Sequence, residues 1–169
     1  MNTDNNTYTL LYASILVIVV AFVLAFTAGI LKEKQEANVQ LDKKRQILRS
    51  LNIDASKDSI SFLYDKYIQK EMIVNSQGEI SKEEGAFSIS SKEENAKPLS
   101  ARNLPVFVAE INNEKKYILP LLGKGLWGAV WGYVALDADK NTIYGTFFSH
   151  EGETPGLGAE ISLSKFQEQ

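Results

Sequence analysis

Residues 10–31 read LLYASILVIVVAFVLAFTAGIL, 22 positions without a charged side chain. At about 1.5 Å rise per residue a helix of this length matches the roughly 30 Å hydrocarbon core of a bilayer. A helix buried in a globular core would carry a polar stripe over such a length. Here the polar side chains are Tyr12, Ser14 and Thr27, and hydroxyls can bond back to their own helix. Tyr8 and Tyr12 fall where interfacial aromatics gather. A cleaved signal peptide fits poorly, because no Lys or Arg precedes the run and the run exceeds a usual h-region. The segment therefore reads as a retained transmembrane anchor. Lys32, Lys34, Lys43, Lys44, Arg45 and Arg49 come after it. The positive-inside rule taken alone would keep the rest of the chain in the cytoplasm, although Glu33 and Glu36 interleave with the lysines.

Composition narrows the chemistry open to the remainder of the chain. There is no cysteine among the 169 residues, which excludes disulfides, thiolate catalysis and cysteine-ligated metal centres within the chain. One histidine makes a self-contained histidine metal site a poor fit. Eighteen Lys and Arg against 21 Asp and Glu give a net charge of -3, so nothing argues for a nucleic-acid surface.

Lys32 to Leu51 contains no Gly or Pro and continues as a helical stalk. Ala37, Leu41, Ile47, Leu48 and Leu51 form its apolar face. A cap-like region at Asp54 and Ser56 precedes Ile60, Leu63, Tyr64, Tyr67 and Ile68, which recur at helical spacing. EMIVNSQGEI predicts a strand and a turn at Gln77-Gly78. Residues 81–103 are polar, with two SKEE pieces, and read as a mobile, solvated insertion. From Leu104 the pattern becomes β: two short strands about Asn112-Asn113-Glu114, then a longer pair about Asp139–Asn141. The expected class is α+β, an antiparallel sheet with flanking helices on one N-terminal transmembrane helix. The expected divisions are a tail and span over 1–31, a stalk over 32–52 and a domain over 53–169.

Two constellations stand out. LLGKGLWGAVWG (121–132) lacks both P-loop and dinucleotide spacing. It is either a pair of tight turns or a place where Gly123, Gly125 and Gly128 let backbone approach a ligand beside Trp127. HEGETPGLGAEI (150–161) sets three glycines beside three glutamates. Its backbone N–H groups would suit an anion nest, and AEISLSKF looks like the start of a helix. Glu151, Glu153 and Glu160 would repel a phosphate there, so the loop could instead face a neutral, hydrogen-bonding group. His150 with Glu151 and Glu153 is a weak metal candidate, since 150 and 151 point to opposite faces of a strand. A general acid–base role for His150 and an ordinary surface histidine both stay open.

LPLLGKGLWGAVWGYVALDADKNTIYG followed by GETPGLGAEI resembles the C subunit of the bacterial sodium-translocating NADH:quinone oxidoreductase, of the FMN-binding superfamily. The single span followed by LDKKRQIL resembles it as well. ETPGLG is shared with the G subunit of the related Rnf complex, and GKGLWG favours the quinone reductase. The resemblance implies an electron-transfer subunit that is enzymatic only as part of the whole NADH:quinone reductase. It implies other subunits and the bilayer as partners, no metal and no catalytic residue of its own. It also implies FMN esterified through its phosphate to a threonine of a Ser-Gly-Ala-Thr motif. No such motif is present, so the C-terminal part of the family's domain is expected to be missing. The flavin domain is expected outside the cytoplasmic membrane, against the charge rule. Glu153, Thr154, Gly156, Leu157 and Gly158, with Leu126 and Trp127 as walls, are the residues expected at the isoalloxazine, with Glu153 accepting from a flavin N–H. The Rnf G subunit, a cofactor-free membrane-anchored assembly subunit and a module for a phosphorylated small molecule are the alternatives.

Overall fold

The computed structural model describes residues 6–168 and divides into two compact units, 1–40 and 41–169. The tail before Asn6 lies outside the described residues. The first unit is helical, formed by α1 (Asn6–Ser50) as far as Gln40. Every large apolar side chain from Leu10 to Leu31 is exposed, and among the described residues this is the one helix long and apolar enough to cross a membrane. Thr27 satisfies its hydroxyl within the helix, donating to Val23 O at 2.9 Å and Leu24 O at 3.0 Å.

The second unit begins at Leu41, inside the segment read as a stalk. Ile47, Leu48 and Leu51 are fully buried there, each contributing about 1.5–3 kcal/mol by leaving water. Ala37 is exposed. The helix stops where Asn52 takes a left-handed φ of 59°, and Ile53 N returns to Leu48 O at 3.1 Å. Asparagine tolerates that conformation better than most residues. Next come α2 (Ile60–Tyr67), β1 (Ile68–Val74), β2 (Ile80–Lys82), α3 (Ser91–Ala96), β3 (Leu104–Ile111), β4 (Glu114–Lys124), β5 (Ala129–Leu136), β6 (Ile143–His150) and α4 (Ser164–Gln167). Ser59, not Asp54 or Ser56, occupies the N-cap position of α2.

The strands make one antiparallel sheet in the order β2-β1-β3-β4-β5-β6. It is the α+β architecture the sequence implies. Asn112 and Asn113 take φ values of 53° and 64°, a two-residue turn whose twist matches the flanking strands. β4 is longer than expected, at 11 residues. Cross-strand partners share a face. Phe107, Ile118 and Ala135 therefore lie side by side, as do Tyr133 and Phe147, and these residues pack with Ile47, Leu48, Leu51 and Ile60 as the core. Burial pushes the Tyr133 phenol up to about 12, helped by nearby Asp42.

Segment 81–103 is mostly solvent-exposed, as expected of it, but it is anchored at particular points. Ala86 and Glu94 are buried, and 3-10 turns at Ala86–Ser88 and Leu99–Ala101 flank α3. Glu71 holds one end, accepting from Tyr64 Oη and from Phe87 N, both at 3.0 Å. Glu94 holds the other, accepting from Asn103 N at 2.8 Å and from Lys97 Nζ at 2.6 Å. The bond from Asn103 is the main reason its carboxyl sits below the usual range. Lys43 donates to Phe87 O and lies 4.7 Å from the Phe87 ring, and burial lowers its ammonium. The segment is a strap fastened by carboxylates, which a polar composition conceals.

Candidate functional site

The sheet's second face carries the site. Leu121 pairs with Gly132 and Gly132 with Phe148, while Gly123 pairs with Val130. A Cβ on Gly132 would fall 2.6 Å from Phe148 Cδ1 and 2.3 Å from Phe147 O, so glycine is what lets the Phe148 ring lie close to β5. Leu121, Val130, Phe148 and Ile161 make the apolar walls of an open cleft of about 560 Å³ that the Trp131 position on β5 also borders, and Glu153 and Gly158 sit at its rim. Trp131 is fixed by its indole N–H, which donates to Gln46 Oε1 at 3.2 Å. Phe148 meets Phe166 edge to face at 6.4 Å. Gln167 closes that end by donating to Phe148 O at 2.9 Å.

The two glycine-containing segments meet at this rim through carboxylates. Glu153 Oε1 accepts from Trp127 N at 3.1 Å. Glu151 Oε2 accepts from Ala129 N at 3.2 Å, and Glu160 Oε1 accepts from Gly156 N at 3.1 Å. The glycines leave room for them. A Cβ on Gly125 would stand 2.1 Å from Glu153 Oε1, one on Gly128 2.9 Å from Glu151 Cβ, and one on Gly158 2.8 Å from Glu153 Oε2. Gly156, with φ 75°, is the one position in the second segment that needs a left-handed backbone. The loop's own carboxylates thus take N–H groups that an anion nest would offer. His150 Nδ1 accepts from Glu153 N at 3.1 Å, which commits that nitrogen to the backbone. The expected helix after Ala159 is a 3-10 turn over Gly158–Ser162, with α4 only from Ser164.

Of the residues expected at the site, Glu153 and Gly158 line the cleft. Thr154 shapes the turn, its carbonyl accepting from Leu157 N at 3.1 Å and Ala159 N at 3.2 Å. Leu126, Trp127 and Leu157 are 81%, 70% and 73% exposed at the loop tips, outside the cleft lining. Sequence reasoning missed Leu121, Val130, Phe148 and Ile161. The available signal was alternation: in β4–β6 the outward positions are apolar as well as the inward ones, which is not what a water-facing sheet requires.

The cleft suits a flat heterocycle. Its lining is mostly apolar, with loop backbone and the Glu153 carboxylate at the rim. Lys124 is the sole basic residue among the lining, so the cleft fits a ring better than a phosphate. Residues 125–169, which contain both loops, match the family model for the FMN-binding domain. The chain is similar to the C subunit of the Na(+)-translocating NADH-quinone reductase of Vibrio alginolyticus, at 30% identity over 89% of this chain and 65% of the relative. It is likewise similar to that of Pseudomonas aeruginosa, at 30% identity over 98% of this chain and 71% of the relative. The crystal structure of the C subunit from Parabacteroides distasonis superposes with a TM-score of 0.75 and 44% identity, covering 82% of this chain and 67% of that one. This chain therefore spans about two thirds of the length of its relatives, and it belongs to the family of C subunits of the Na(+)-translocating NADH-quinone reductase.

Proposed function

We propose that the chain supplies the isoalloxazine pocket of an electron-transfer subunit in a sodium-translocating NADH:quinone reductase. The observation that carries this is the open apolar cleft on β4–β6, rimmed by the loops that match the FMN-binding family. When bound, FMN supplies reversible electron transfer, and the protein positions and tunes it. Phe148 would support the ring on one side, and Leu121, Val130 and Ile161 would exclude water. Glu153, Thr154, Gly156, Leu157 and Gly158 would border its polar edge. Leu126 and Trp127, exposed here, would wall the site where the loop tips are covered by a partner subunit. Electrons would enter and leave through other subunits of the complex, with sodium transport elsewhere.

Family resemblance adds attachment of the FMN phosphate to a threonine in a Ser-Gly-Ala-Thr motif, which residues 1–169 do not contain. Expression from the native reading frame, followed by denaturing electrophoresis, tests both points. Flavin fluorescence that stays with the polypeptide supports the proposal. A colourless protein with no flavin after native purification would overturn it.

The domain is proposed to lie on the periplasmic side, which the resemblance supports. Residues 1–169 hold no cysteine, so Lys92→Cys, at an exposed position in α3, adds a single label site to them. Labelling by an impermeant maleimide in intact spheroplasts is expected, and labelling only after lysis would reverse the orientation.

A further inference from the structure

We propose that Glu153 is a positioning residue that joins the two walls of the cleft's rim and acts on a bound flavin through them. The inference rests on the reading of the cleft as a flavin pocket. Its basis is steric and directional. Glu153 Oε1 accepts from Trp127 N at 3.1 Å, across 26 positions of chain. The same carboxylate lies against two glycines from the two segments, with Oε1 beside Gly125 and Oε2 beside Gly158. Its own backbone N–H is held by His150 Nδ1 at 3.1 Å. The side chain is thus held by three kinds of contact: a donor ahead of it, glycine backbone on either side, and a tethered main chain behind it.

This geometry separates two roles that the sequence alone merges. A carboxylate that tunes a flavin by charge needs its charge and tolerates a change of reach. A carboxylate that positions a loop needs its reach and tolerates loss of charge. Bonds from N–H groups to ionised acceptors are stronger than neutral ones, but an amide oxygen placed at the same point still accepts. Glu153→Gln keeps the reach to Trp127 N and removes the charge. Glu153→Asp keeps the charge and falls one methylene short. Glu151, which bonds Ala129 N on the neighbouring turn, braces the same loop and leaves the Trp127 bond unsupported when Glu153 is shortened.

The experiment uses the protein expressed from its native reading frame and purified with whatever flavin it carries. Amide hydrogen exchange over 125–129 is measured in the wild type and both variants, together with the flavin's midpoint potential and absorption spectrum. Positioning predicts exchange in Glu153→Asp faster by about tenfold or more, as expected when a bond to a charged group is lost. It also predicts a shifted flavin spectrum in that variant, and exchange, spectrum and potential close to wild type in Glu153→Gln. The reverse pattern, with Asp like wild type and Gln shifted, overturns the proposal in favour of a direct charge effect. Wild-type exchange in both variants overturns it as well. A protein that carries no flavin at all sinks the pocket reading, while the exchange data still decide whether Glu153 clamps the loops.

Discussion

The indole N–H of Trp131 donates to Gln46 Oε1 across 3.2 Å, and Gln46 Nε2 in turn donates to Asp42 Oδ2 at 2.6 Å. A residue of α1 thereby sets the plane of an aromatic ring on the core face of β5, behind the cleft. Gln46→Leu removes the acceptor and leaves a half-buried donor without one. The expected cost is about 1 kcal/mol, or a fall of about 4 °C in Tm. In a Trp127→Phe background the remaining tryptophan should change its emission maximum, and an unchanged maximum would show that Gln46 does not hold it.

Gly145 marks where the end of α1 meets β6. A Cβ there would stand 2.5 Å from Ser50 O and 2.9 Å from Asn52 Nδ2. Backbone must move to admit it, so Gly145→Ala should destabilise the domain by about 1–3 kcal/mol in urea. Gly123 is the control, since nothing lies within 4 Å of a Cβ at that position. Gly123→Ala should stay within about 0.5 kcal/mol of wild type and weaken flavin retention, because Gly123 lines the cleft.

Lys116 is a buried cation with two carboxylates, Asp137 at 2.6 Å and Glu114 at 2.8 Å, and its ammonium lies 4.4 Å from the Tyr144 ring. The hydrogen bonds to Asp137 and Glu114 raise its pKa above the ordinary 10.5. The folded state therefore prefers the charged form. The resulting stability is fully present below pH 10.5 and is lost as pH rises through the higher folded value. Lys116→Met should be less stable than wild type at neutral pH. The gap between the two should narrow above pH 10.5 in chemical denaturation, and a constant gap would refute the assignment.

Asp139 organises the β5–β6 turn, accepting from Thr142 Oγ1 at 2.6 Å, Thr142 N at 2.9 Å and Asn141 N at 3.0 Å. These bonds, led by the Thr142 hydroxyl, depress its carboxyl from 3.8 to about 2. Its contribution is complete above pH 3.8 and is lost as pH falls through 2. Asp139→Asn should therefore flatten the acid limb of stability between those two values. A variant whose urea midpoint falls with acid as steeply as the wild type's would contradict this.

Much of the fold was legible because local signals agreed with it. The uncharged run marked the long helix, and Asn112-Asn113 and the Asp139–Asn141 turn marked two hairpins that hold four of the six strands. The anchoring of the strap over 81–103 was not legible, because it depends on Glu71 and Glu94 meeting backbone N–H groups that no local pattern pairs with them. The site was half legible. Both loops were found from their glycines and glutamates, and Glu153 and Gly158 do line the cleft. Its floor was hidden because Leu121, Val130 and Phe148 become neighbours only after three strands are set in register. Leu126 and Trp127, expected as walls, and Leu157, expected at the ring with the 153–158 loop, project from the loop tips.

The fit of Glu153 between Gly125 and Gly158 has an evolutionary corollary. Positions 125, 153 and 158 share one small volume, so they are not free to drift separately. A homologue that gains a methyl group opposite Gly158 must shorten its residue opposite Glu153, and a lineage that keeps the glutamate keeps both glycines. An alignment should show these three columns changing as a unit, a signature that owes nothing to whatever molecule fills the cleft.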